Sequence, residues 1–320
     1  MTIGGARAAG LVLLGLTALS AVAAPVLSPT PSAAQHSSHP FAPPMLPRVR
    51  DAEGNWRAPY MPRLILTDRL AHAYAQGDVL PLRWFTEGRL VTSADASHPL
   101  LLLGADGLGR DVWSRLLHGG RYSLGLAATA VVGATLLGLA VGLVAGWRSG
   151  WTDAALMGLS DLLVVLPALY VILLFRAALP LVLSPAALFA LMAGVLALAG
   201  WPSVARGVRA IVVAERGQAY VEAARGFGAT DFHVLRRHLL PAVLPFLATQ
   251  AILLLPAFVV AEATLSFIGL GFAEPTPSWG TLLRDSFNLR VLREAPWLLA
   301  PAAAIAIVTI AANLVREGDR

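Results

Sequence analysis

The 320-residue chain contains no lysine and no cysteine; all 24 of its basic residues are arginine. Without lysine there is no ammonium to reach the β/γ-phosphates of a P-loop and no amine for a Schiff base, so this polypeptide alone performs neither chemistry. Without cysteine, disulfides, thiolate nucleophiles, iron–sulfur clusters and cysteine-ligated zinc are excluded. Charge of either sign is scarce, at 13% of residues against 57% hydrophobic, and mean hydropathy is +0.68. Soluble domains carry about 25% charged residues, so this composition is that of a membrane protein. A pI near 10.4 would suit nucleic acid. The arginines are instead scattered among apolar stretches, where they read as topology signals.

What the chain does have is long apolar runs. A bilayer core about 30 Å thick asks for roughly 20 apolar residues per helix. Six stretches fit, at residues 8–27, 122–147, 154–175, 178–201, 239–268 and 295–315, with Pro180 and Ser184-Pro185 providing the turn before the fourth. The expected fold class is therefore all-α and polytopic. It comprises an N-terminal helix in residues 1–27, a proline-rich extracytoplasmic segment over 28–121, a five-helix core over 122–315 and a short tail at 316–320. The first stretch also matches a cleavable signal peptide, since a lone Arg7 precedes a short apolar run and Ala21-Val22-Ala23-Ala24. Orientation follows from the connection 202–238, whose Arg206, Arg209, Arg216, Arg225, Arg236 and Arg237 place it in the cytoplasm. Arg148, Arg316 and Arg320 agree and put both termini inside, whereas Arg284, Arg290 and Arg293 fall on the other side.

Within that connection, residues 220–241 read as a helix, a break and a second helix. Glu222 to Arg225 are good helix formers, Gly228 can take the positive φ that ends a helix, and Thr230 or Asp231 can cap the next. Phe232, Leu235 and Leu239 recur at helical spacing, opposite a face carrying His233, Arg236 and Arg237. Periodicity alone leaves two uses open, docking into a partner's groove or lying on anionic lipid.

Three motifs together resemble the inner-membrane permease subunits of ATP-binding-cassette (ABC) importers, in the dipeptide, oligopeptide and nickel branch. Glu222, Ala223, Ala224, Gly228, Leu240 and Pro241 stand where that family carries its cytoplasmic Glu-Ala-Ala, Gly and Leu-Pro signature. Gly104-Ala105-Asp106-Gly107-Leu108-Gly109-Arg110-Asp111 with Val112-Trp113-Ser114-Arg115-Leu116 looks like the segment leading into its second span. Glu262-Ala263-Thr264-Leu265-Ser266-Phe267-Ile268-Gly269-Leu270-Gly271, followed by Pro275-Thr276-Pro277-Ser278-Trp279-Gly280, looks like the segment after its fifth. The resemblance covers the chain from about residue 104 onward. It implies a half-transporter in the cytoplasmic membrane that pairs with a second permease subunit, two cytoplasmic ATPases and an extracytoplasmic solute-binding protein. ATP and magnesium would be bound by the ATPases, with no cofactor on this chain and no enzymatic activity of its own. Glu222, Ala223, Ala224, Gly228, Leu240 and Pro241 would then form the ATPase-coupling loop, with peptides the leading cargo and nickel complexes or other small solutes also open.

Two carboxylates fall within apolar runs, Asp161 and Glu262. They could serve as a proton relay, as in a secondary carrier working without an ATPase, or as interhelical hydrogen-bonding groups. A secondary carrier should also show an inverted repeat, which the sequence does not display convincingly. Pro167, Pro256 and Pro301 suggest kinks within spans. Asp111 and Arg115 stand four apart, as in a helical ion pair, in a stretch that would form an interfacial helix, and Asp106 sits in a glycine-rich turn. All seven histidines lie outside the spans. His36 and His39 lack acidic neighbours and read as solvated, so no metal site is expected.

Overall fold

The fold is set by where apolar residues can be packed helix to helix and where prolines force the chain out of helix. In the computed structural model, residues 3–50, 56–95, 97–165, 170, 184–287 and 289–317 are described. Among them five helices are long and apolar enough to cross a membrane. Helix α1 (Ile3–Val22) is followed by a short α2 (Ala24–Leu27), a region of strand, and α3 (Val112–Arg148). Then come α4 (Gly150–Val165), α5 (Pro185–Glu215), α6 (Ala219–Gly226) and α7 (Asp231–Val234). One π-helical turn (Leu235–Leu239) joins α7 to α8 (Leu240–Phe267). The chain ends with α9 (Trp279–Asp285), α10 (Leu289–Glu294), a 3-10 turn (Pro296–Leu299) and α11 (Ala300–Glu317). The expected helical, polytopic class holds. Of the two stretches expected at 154–175 and 178–201, residues 166–169 and 171–183 lie outside the described residues, Pro167 and Pro180 included.

The chain divides into two compact units. One comprises Val12–Gly125 and Ala263–Thr309. Its insertion, read from sequence as aperiodic, folds into a four-stranded antiparallel meander of β1 (Arg48–Arg50), β2 (Trp56–Asp68), β3 (Ala73–Thr86) and β4 (Arg89–Ser93). Pro59, Pro62 and Pro81 sit inside its two long strands, and the register slips between Pro62 and Leu64. Prolines and a slipped register break the two-residue alternation by which a strand is recognised. The sheet buries Met61, Leu64 and Leu80 against Ala42, Met45, Leu100 and Leu101. His39 is 4% exposed beside His98 and Tyr74, so it is not the solvated side chain expected. Burial, with the charges of His98 and His36, holds its imidazole below the usual value.

The same unit contains a dense ionic network. Arg110 pairs with Asp106 at 2.6 Å, Glu274 at 2.7 Å and Asp285 at 3.1 Å, and Arg115, 1% exposed, meets Glu274 at 2.6 Å. Burial raises the Glu274 carboxyl, but hydrogen bonding and charge from Arg115 and Arg110 outweigh it and hold the group below its ordinary value. At Asp285 burial prevails, and its carboxyl is raised. Asp106 is a turn residue, as expected, accepting from Leu108 N and Arg110 N. The expected Asp111–Arg115 pair is absent. Asp111 instead caps α3, taking Trp113 N at 3.1 Å and Ser114 N at 3.1 Å, while Arg115 turns to Glu274. No separate interfacial helix forms either, because Val112 already begins α3, which at 37 residues is about 55 Å long.

The second unit comprises Leu126–Glu262 with the two chain ends. Its packing rests on shape. Gly138, Gly142 and Gly146 recur every fourth residue on α3, and a methyl group at any of them would fall within 2.9 Å of Val204, Val208 or Val212 of α5. Small residues at that spacing let two backbones approach closely, which is how helices associate where hydrophobic burial gives no preference between lipid and protein. This contact explains why α5 does not end near Trp201. It runs on through Pro202, burying Val204, Val208 and Val212, so the connection expected at 202–238 starts only after Glu215. Arg206 and Arg209 are therefore helical residues, pairing with Asp161 at 3.2 Å and with Asp153 at 2.5 Å. Pro256 lies within α8 as expected, whereas Pro301 sits in the first turn of α11, where proline is tolerated.

Candidate functional site: an exposed helix–glycine–helix element

The residues singled out between Glu222 and Pro241 form one contiguous element. Gln218, in extended conformation, precedes α6, and Val221 is its one fully buried side chain. Val221 joins Val204, Val208, Val212, Val234, Leu239 and Val243 in a common apolar cluster, with Trp147 packed against it. Glu222 and Ala223 face away and are exposed, while Ala224 is half-buried. The Glu222 carboxylate has no ion-pair partner among the described residues.

The break is built as the sequence suggests. Phe227 N donates to Ala223 O, and Gly228 follows at φ +85, a backbone state that disfavours any side chain. Nothing stands within 4 Å of where a Gly228 side chain would begin, so conformation alone selects glycine here. Thr230, rather than Asp231, caps the second helix, its Oγ1 accepting from His233 N at 3.3 Å. Asp231 instead pairs with Arg225 at 3.6 Å.

Leu240 and Pro241 stand where the π turn passes into α8. Pro241 has no N–H for the carbonyl four residues back, and Leu240 N donates to Leu235 O, five residues back. Their place in the signature thus coincides with a local change of helical register. Arg236, Arg237, His233, Thr230, Phe232 and Pro241 line a hollow of about 660 Å³ beside it. The apolar face expected of Phe232, Leu235 and Leu239 is only partly formed. Leu239 is buried and Leu235 half-buried, but Phe232 is 72% exposed and Val234 takes the inward place. Phe227 is 93% exposed. These two bare aromatics flank Gly228, and sequence reasoning gave Phe227 no role.

Of the two intramembrane candidates, Asp161 is exposed on α4 and paired with Arg206, while Glu262 is fully buried on α8. The element does not bring them together with Glu222. The other two quoted motifs do meet: Arg115 contacts Glu274, and Trp279 Nε1 donates to Leu116 O at 3.1 Å. No group of three or more potential metal ligands is assembled among the described residues.

Fold and element together define a polytopic helical membrane protein that presents a helix–glycine–helix projection between two membrane-length helices. Residues 138–318 match the family described as binding-protein-dependent transport system inner membrane component. A protein named as a peptide permease in Brucella ovis is 35% identical over 218 residues, covering 68% of this chain and 70% of the relative. A peptide transport system permease protein of Brucella suis is 38% identical over 221 residues, covering 68% and 71%. A glutathione transport system permease protein of Pectobacterium atrosepticum is 31% identical over 242 residues, covering 74% and 75%. The chain belongs to this family, as a permease subunit of an ABC importer in its peptide branch.

Proposed function

We propose that this permease moves small peptides or peptide-like solutes inward, and that residues 219–241 are where ATPase subunits grip it. The observation that carries the second half is the helix–glycine–helix element itself. It displays Glu222, which has no ion-pair partner among the described residues, and two bare phenylalanines, Phe227 (93% exposed) and Phe232 (72% exposed), on one short element. A carboxylate and two aromatics exposed on one short element suit a groove with a basic lining and apolar pockets. Ala223 and Ala224 let a partner surface come close, Gly228 sets the angle between the two helices, and Leu240-Pro241 fixes where the second helix enters its span.

Peptide cargo is supported by the names of the Brucella relatives and by the glutathione relative, whose solute is itself a small peptide. The assembly would contain a second permease subunit, two ATPases that bind ATP and magnesium, and an extracytoplasmic solute-binding protein. Both termini would lie in the cytoplasm, beside lipid on all sides of the helical bundle. Asp161 and Glu262 act in this reading as interhelical polar groups.

The test is purification of the tagged permease in mild detergent from its own membrane, with uptake measured in proteoliposomes. A Gly228→Asp variant places a side chain at φ +85 and a charge between the phenylalanines. ATPases should co-purify with the wild type and not with the variant, ATP-driven peptide uptake should fall by at least about tenfold, a loss of about 1.4 kcal/mol or more, and membrane insertion should persist. Full uptake by the variant, or uptake by the wild type without any ATPase, would refute the docking role.

A further inference from the structure

Resting on that reading, we propose that two arginines, Arg216 and Arg225, clamp the corner between α3 and α4 and carry motion of the ATPase-gripped element into the helices. Helix α6 has eight residues and a single fully buried side chain, so apolar packing alone holds it weakly. A pull on such a helix would melt or tilt it before moving a span. Something stiffer has to join it to the helical core.

The joint is visible at one turn of α3. The Arg225 guanidinium lies 4.2 Å from the centroid of the Trp147 ring, a cation–π geometry, and its other side is held by Asp231 at 3.6 Å. Arg225 thus bridges three pieces of chain: the end of α6, the start of α7 and the end of α3. Arg216 arrives at the same turn from the end of α5. Its Nη1 donates to Gly146 O at 2.9 Å and to the Ser149 hydroxyl. A cation bound to the last carbonyls of a helix satisfies acceptors that have no partner within the helix and complements the helix dipole.

The corner is itself a rigid body. Ser149 and Gly150 both hold positive φ, +56 and +65, a fixed reversal rather than a loop. On its far side, Asp153 of α4 is bound bidentately by Arg209 of α5 at 2.5 and 2.6 Å. Displacing α6 therefore strains the Arg225–Trp147 stack first, and the corner follows with α3 and α4 attached. Arg225 and Trp147 are positioning residues in this scheme. They touch neither solute nor nucleotide.

The experiment uses the full complex of both permeases, the ATPases and the solute-binding protein, reconstituted in proteoliposomes, and reads solute imported per ATP hydrolysed. Trp147→Ala should leave complex composition intact and ATP hydrolysis within about twofold, and should lower import per ATP about fivefold, the equilibrium shift expected from losing one cation–π contact. Trp147→Phe, which keeps a π face, should recover most of the ratio, an outcome that simple loss of packing would not predict in step with the charge variant Arg225→Gln. Arg225→Gln leaves the core untouched and, in complexes that retain their ATPases, should lower import per ATP about as much as Trp147→Ala even if the latter folds poorly. An unchanged ratio in Arg225→Gln would overturn the clamp while leaving ATPase docking in place. Absence of ATPases from the wild-type complex would overturn the docking reading and the clamp together.

Discussion

The two compact units solve the same problem, holding helix ends and loops in one arrangement, by opposite means. In the unit that contains the sheet, fixed charges do it: Arg110 and Arg115 gather Asp106, Glu274 and Asp285 from segments far apart in sequence. In the unit that contains the α3–α5 pair, three glycines set against three valines do it, with ion pairs added where α4 meets α5 and where α6 meets α7. The difference follows from solvent. Buried charges are tolerable where Glu274 and Asp285 keep part of their surface in water, at 45% and 35% side-chain exposure. Between spans no such relief exists, and close backbone approach supplies the contact instead.

The sharpest way to break that comparison is to spoil the shape-based side. Gly142→Leu pushes four heavy atoms into a gap where one carbon would already lie 2.6 Å from Ala205 O and from Val208 Cβ. Overpacking ordinarily costs about 1–3 kcal/mol, and here neither backbone can retreat without parting the helices, so a loss of about 4 kcal/mol or more is expected. Thermal unfolding in detergent, followed by size-exclusion fluorescence, measures it. Gly194→Ala is the matched control, because nothing stands within 4 Å of its side-chain position. It should change stability by less than about 1 kcal/mol, in the favourable direction. Equal losses at the two positions would show that the glycine–valine contact does not set the stability of this unit.

The charged side should yield next. Arg115→Met strands Glu274 and Asp285 beside a single remaining arginine. Removing one partner of a buried pair costs about 3–5 kcal/mol, and partial exposure of both carboxylates argues for the lower end, about 3 kcal/mol. Arg115→Lys, which keeps charge but not the fork, should fall between Met and wild type. If Arg115→Met melts with the wild type, the network is a surface ornament and the contrast between the units dissolves.

How legible each unit was from sequence tracks the same division. Helix breaks dictated by local chain chemistry were readable, which is why Gly228 at φ +85 and a cap at Thr230 or Asp231 could be anticipated, the structure choosing Thr230. Features dictated by a partner segment were not. Arg115 was expected to pair four residues back because local spacing is all that a helix pattern reports; Glu274 lies 159 residues away. The sheet was hidden by Pro59, Pro62 and Pro81, and the extent of α5 by Pro202, each a residue that normally ends an element and here is carried by its packing. One signal was present and unused: glycines at 138, 142 and 146 share a helix face at the spacing of a packing seam. Read with valines at 204, 208 and 212, they would have predicted both the contact and the length of α5.

A smaller effect separates the units by pH. Asp111 caps α3 from the charged unit, accepting hydrogen bonds from Trp113, Ser114 and Thr30, yet burial pushes its carboxyl up to about 6 from an ordinary 3.8. A carboxyl raised on folding binds its proton more tightly in the folded state. Its contribution to stability is therefore greatest below about pH 4 and is lost as pH climbs through 6, amounting to about 2–3 kcal/mol over that window. Two histidines of the same unit work the other way, since His36 and His39 are lowered by burial and favour the folded state as pH rises. A melting curve of the wild type alone would mix the two. Subtracting the curve of Asp111→Asn removes the histidines, which are common to both proteins, and leaves the aspartate. The wild type should lose ground to the variant steadily between pH 4 and 6.5 and hold a constant offset above. A difference that stays flat across that range would mean that the hydrogen bonds at the cap, not desolvation, set the charge of Asp111.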